Sequence, residues 1–269
     1  MTIVLLTALG VGGATVIGAG IGFIFKKISH KFSDIVLAFA AGIMLAAAIL
    51  GLILPALDDG YLMFHHNAVS SNDTVNKLLA VAVVVVGIFA GALCINLLDK
   101  LVPHLHGLVG VDIEGHSGEN KSQINKVMLF VLAIAIHNLP EGIAAGVGFG
   151  AGNDAEALII AGGIALQNIP EGMVIIAPML AAGIKPKRTF LCALATGLIE
   201  VVGTLLGYFA VSISSVILPF ALAFAGGTML YVVSDEMIPE THSHGAQRGA
   251  TYSLLVGFCV MILMDVLLK

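Results

Sequence analysis

Two stretches 30 residues apart pose the same chemistry: His137-Asn138-Leu139-Pro140-Glu141-Gly142 and Gln167-Asn168-Ile169-Pro170-Glu171-Gly172. Residues four apart share a helix face. His137 and Glu141 therefore stand about one turn apart, with Asn138 on the other flank of the glutamate. That arc offers an imidazole nitrogen, an amide oxygen and carboxylate oxygens. The second copy offers the amide oxygens of Gln167 and Asn168 beside Glu171. Such donors suit a divalent transition ion, Zn²⁺ as well as Fe²⁺, Mn²⁺ or Cd²⁺, and the lack of a neighbouring cysteine argues against a thiolate-rich Cu(I) site. The rival chemistry is hydrolysis by an intramembrane zinc metalloprotease. Its H-E-x-x-H signature is missing, and His137 is the only histidine well inside a predicted span. The sequence reads as that of a non-enzyme with no prosthetic group.

The elements that must position these groups are membrane helices. The chain is 58% hydrophobic and 11% charged, with a mean hydropathy of +1.04. That is too little charge to cover a soluble domain of 269 residues. About 20 apolar residues cross the hydrocarbon core. Eight stretches qualify, near 3–25, 34–57, 77–99, 125–149, 156–181, 189–213, 216–239 and 250–268, which makes 1–269 one all-α integral membrane domain. The 32 glycines suit close helix packing in lipid. Pro140 and Pro170 remove donors to the carbonyls of Ile136 and Leu166, which predicts a kink in spans four and five. Irregular backbone at that depth is tolerated only inside protein or against a watery cavity, and broken helices recur where transporters hold substrate. Glu141, Glu171 and Glu200, the last midway along span six, have no Lys or Arg at their depth. Cations or protons have to balance them. One polar residue in a membrane helix is often interhelical glue; two copies of N-[LI]-P-E-G with a third glutamate exceed that role.

Eight spans place alternate loops on opposite sides. Ten basic residues (Lys26, Lys27, Lys31, Lys100, Lys121, Lys126, Lys185, Lys187, Arg188, Arg248) then share one side, against Lys77 and Lys269 on the other. The positive-inside rule makes the first side cytoplasmic and puts both termini outside. The first span is followed by lysines and no cleavage site, so it reads as a retained helix and not a signal peptide. Cys94, Cys192 and Cys259 lack paired spacing and read as small buried hydrophobes. His104, His106 and His116 in the inner 100–124 loop, His65-His66 outside, and His242 with His244 inside are solvated polar residues or loose metal ligands. No basic patch interleaved with aromatics points to nucleic acid; the expected partners are divalent ions and the lipid bilayer.

Taken with this layout, the paired signatures closely resemble the ZIP (Zrt/Irt-like) family of divalent-metal transporters, bacterial type. Ala40-Ala41-Gly42-Ile43-Met44-Leu45-Ala46 and Asp235-Glu236-Met237-Ile238-Pro239-Glu240 extend the likeness to spans two and seven. The resemblance implies a 3+2+3 arrangement, with inverted three-helix repeats around a central kinked pair. It implies import of zinc, or of Fe, Mn or Cd, into the cytoplasm across a bacterial inner membrane by alternating access. A homodimer is a further implication. By matching motif, Met44, His137, Glu141, Gln167 and Glu171 form one metal position. Asn138, Glu141, Asn168, Glu171 and Glu200 form a second, bridged by Glu141 and Glu171. Asp58 and Asp265 would guide the ion in, and Asp235 and Glu236 would line its release. Without the family, Met44 reads as core packing and the end carboxylates read equally as solvated caps or as path residues. The chain departs from the pattern at Gln167 and Asn168, neutral where relatives often carry His or Asp. Neutral amides bind divalent ions less strongly, so the second position is expected to be weak, differently selective or empty. The alternatives to a carrier are a metal-selective channel and a non-transporting metal sensor.

Overall fold

The computed structural model describes residues 1–25, 29–67, 70–108, 118–150, 152, 154–213 and 215–268. Its long helices are α1 (Thr2–Ile24), α2 (His30–His66), α3 (Asp73–Leu108), α4 (Gly118–Gly150), α5 (Asp154–Ala181), α6 (Pro186–Ile213), α7 (Leu218–His242) and α8 (Gln247–Leu268). No strand occurs among the described residues. Seven of the helices, all but α4, are long and apolar enough among the described residues to cross a bilayer, and the protein is an integral membrane protein. The expected fourth span, 125–149, lies inside α4. Large apolar side chains face outward on α3 and α8, among them Phe89, Leu93, Leu255 and Leu263. Lipid tails are the natural solvent for such surfaces.

The helices sort into two sets by packing. In the first, α4 lies along α6, and α1 lies along both α5 and α6. In the second, α2 lies along α8 and α3 along α7. The sets meet where α2 touches α5 and where α7 touches α4. Exchanging α1–α3 for α6–α8 and α4 for α5 maps most of these contacts onto one another.

Glycine sets how closely helices approach within each set. An added Cβ on Gly142 would run into the carbonyl of Glu200, on Gly172 into that of Thr15, on Gly42 into that of Leu254, and on Gly91 into that of Phe224. Between the sets, glycines meet side chains instead: Gly51 meets Ile160, and Gly163 meets Met261.

Two helices widen into a π-turn, α2 at Ala47–Ile53 and α7 at Val233–Met237. Leu54 donates its backbone N–H to Ile49 O and Ile238 to Val233 O, each five residues back. Pro55 and Pro239 follow directly. Proline cannot make the next backbone bond, and a widened turn is one way to absorb the gap. α4 and α5 stay α-helical through Pro140 and Pro170. The widened backbone thus lies just before Pro55 and Pro239 and not at Pro140 or Pro170.

Candidate metal centre

A cavity of about 460 Å³ lies between α2, α4, α5 and α7. α2 contributes Leu37 and Met44, α4 contributes Ile134, His137 and Glu141, and α5 contributes Glu171. α7 contributes Val232, Asp235, Glu236, Met237, Pro239 and Glu240, with Ser243 just beyond it. Among the described residues, five carboxylates therefore line the space with one imidazole and no Lys or Arg. Low-dielectric walls focus a field of that sign and attract cations.

The spacing read from the sequence places these groups as expected on their helices. Glu141 is 1% exposed, and neither of its oxygens has a hydrogen-bond partner. Glu171 Oε1 and both polar atoms of Gln167 are likewise buried and unpartnered. Leaving such groups unmatched costs about 1–3 kcal/mol each, and a cation would satisfy the oxygens together. His137 Nε2 lies 2.7 Å from Glu236 Oε1, so the α4 imidazole is met across the cavity by a carboxylate on the widened turn of α7.

Beside the cavity, and not lining it, Glu200 of α6 is fully buried. Its Oε1 accepts from Thr15 Oγ1 at 2.7 Å and from Asn138 Nδ2 at 2.5 Å, and its Oε2 accepts from Asn168 Nδ2 at 2.5 Å. Asn138 Oδ1 and Asn168 Oδ1 are buried with no partner. The motif glycines explain the assembly. Gly142 abuts the backbone of Glu200 and Gly172 that of Thr15, so the glutamate comes within reach of the hydroxyl and of both asparagines.

Of the expected site residues, Met44, His137, Glu141, Glu171, Asp235 and Glu236 share one cavity. Gln167 is buried without lining it, and Asn138, Asn168 and Glu200 form the neighbouring cluster. Asp58 is exposed on α2 and Asp265 partly buried on α8, both away from the cavity. Among the described residues, no group of three or more His, Cys, Asp or Glu is arranged to close on one ion. Amide and thioether donors would have to complete a shell. His116 lies outside the described residues; His104 and His106 belong to the backbone of α3.

Sequence reasoning assigned no role to Thr15, to Met237 and Glu240 of the cavity lining, or to the buried Asp34, whose Oδ1 sits 3.1 Å from His244 Nδ1. Nothing in its local sequence sets Thr15 apart. Threonines in helices usually bond their own backbone, as Thr196, Thr204 and Thr228 do here with Ala193, Glu200 and Ala225.

The family profile described as ZIP Zinc transporter matches residues 112–265. The chain is 42% identical over 182 residues to the zinc transporter GufA of Myxococcus xanthus, covering 68% of this chain and 70% of that one. It is 38% identical over 252 residues to the zinc transporter ZIPB of Bordetella bronchiseptica, 94% of this chain and 77% of the relative. Against the human zinc transporter ZIP11 it is 31% identical over 330 aligned positions, with 94% of each chain covered.

Proposed function

The chain belongs to the ZIP family of zinc transporters, and from that premise we propose that it carries divalent transition ions, zinc foremost, across a bacterial inner membrane into the cytoplasm. Fe²⁺, Mn²⁺ and Cd²⁺ share the same donor chemistry. The observation that carries the reading is the convergence of Met44, His137, Glu141 and Glu171 on one cavity, with the Glu141 oxygens buried and unmatched. The ion sits at Glu141 and Glu171, with His137, Met44 and Gln167 completing its shell. Asp235 and Glu236 line its release, while Asp58 and Asp265 attract it on the opposite face. The transporter is not an enzyme.

The fold in this reading has eight spans in 3+2+3 order, α4 being the fourth, with both termini outside. The chain works as a homodimer. On α2 the cavity is lined only by Leu37 and Met44, and Ala47, Ala48 and Leu52 beyond them are fully buried. That burial of α2 beyond Met44 supports alternating access over a continuous channel, with one helix set moving against the other. Side-chain contacts between the sets, at Ile160 and Met261, suit such movement.

Purified protein in liposomes tests the site. His137→Ala and Glu141→Ala are expected to abolish saturable zinc uptake while the wild type accumulates zinc. Normal uptake by both variants would overturn the assignment.

A further inference from the structure

We propose that Thr15 is a positioning residue for the ion site, and that Glu200 anchors Asn138 and Asn168 instead of ligating metal, so that each chain holds one ion. The inference rests on the transport reading and goes beyond it, because the resemblance alone implies two ions.

Glu200 is 0% exposed and its two oxygens meet three donors, from Thr15, Asn138 and Asn168. The amides are committed on both hydrogens. Asn138 Nδ2 also approaches Thr196 O at 3.3 Å, and Asn168 Nδ2 approaches Val11 O at 3.2 Å. Turning either amide over would set its oxygen against a carboxylate and a carbonyl at once. Chemistry therefore fixes both orientations. Each Oδ1 is left buried and unpaired, the one face of each asparagine that a cation can use.

Three donors take up three of the about four lone-pair sites of Glu200, so a metal there would compete with the amide hydrogens of Asn138 and Asn168. Burial makes a displaced donor costly. Charge points the same way. Glu141 and Glu171 carry two formal negative charges, matching one divalent ion, while the Glu200 charge is shared among three donors. An acid at position 168 would remove one of those donors and set a second carboxylate against Glu200, which then calls for a second cation. The asparagine at 168 decides between a brace and a second metal position.

Thr15 enters from α1 because Gly172 lets the α5 backbone rest on the Thr15 carbonyl. The hydroxyl holds Glu200, Glu200 holds the two asparagines, and the asparagines present oxygen. Supports of this type typically alter metal affinity about 10–100-fold when removed.

The full chain, purified in detergent and dialysed against Zn²⁺, is assayed for bound metal by mass spectrometry and for affinity by competition with a chelating dye. One zinc per chain is expected in the wild type. Thr15→Val, equal in shape, is expected to weaken binding about 10–100-fold, and Thr15→Ser to restore it, which a packing role would not do. Asn168→Asp is expected to take up a second ion. Two zinc ions in a wild type that transports would overturn the inference and leave the transport reading standing. So would wild-type affinity in Thr15→Val, or a single ion in Asn168→Asp. A wild type that neither binds nor accumulates zinc would overturn the transport reading itself, and this inference with it.

Discussion

Gly142 and Gly172 follow the motif glutamates, and each rests on the backbone of another helix at the residue the site depends on. A methyl group at either position meets a carbonyl, which cannot swing aside as a side chain can. Gly172→Ala should therefore cost about 1–3 kcal/mol by overpacking, lower the unfolding temperature in detergent, and reduce uptake. Unchanged melting and uptake would show that α1 and α5 are free to separate there. The glutamates, His137 and these glycines were legible because their types and spacing recur within a single helix. Thr15 was not, because its role depends on a partner 185 residues away. The hydrogen bonding of Glu200 was hidden for the same reason: a mid-span carboxylate reads alike whether it faces an ion or three donors.

The helices themselves followed from apolar length, with ends displaced by several residues: span two was read as 34–57 and the helix runs His30–His66. Polar residues past the hydrocarbon continue a helix without adding apolar signal. The π-turns escaped, because a register change of one residue leaves composition untouched. On α7 the turn sets the aim of Asp235 and Glu236 into the cavity. Pro239→Ala restores an N–H that can bond Asp235 O, four residues back, and lets the turn tighten to α. Both carboxylates would then rotate off the cavity. Uptake should slow roughly tenfold while the variant still elutes as folded protein and melts higher, since an interior proline no longer interrupts the ladder. Wild-type uptake in that variant would show that the widened turn does not aim these groups.

For the molecule as a whole, the distribution of Lys and Arg was the sole guide to orientation. Asn67 and Gln247 are both exposed, at the end of α2 and the start of α8. In a background where Cys94, Cys192 and Cys259 are replaced, Asn67→Cys should react with a membrane-impermeant maleimide in intact cells, and Gln247→Cys only after the cells are opened. The reverse pattern would invert the topology. The division into two packed sets was not legible from span order. The resemblance implies a grouping of three, two and three along the chain, whereas packing depends on which faces carry glycine and which carry larger side chains.

The burial of α2 beyond Met44 has, in an alternating carrier, a kinetic consequence. A bound ion held in this shape can trade places with ions in a single compartment only. If the shape is locked, by a cross-link between α5 and α8 for example, a radioactive isotope of zinc loaded on the open side should exchange in and out freely. The same isotope presented to the far face should never reach the bound pool, however long the incubation.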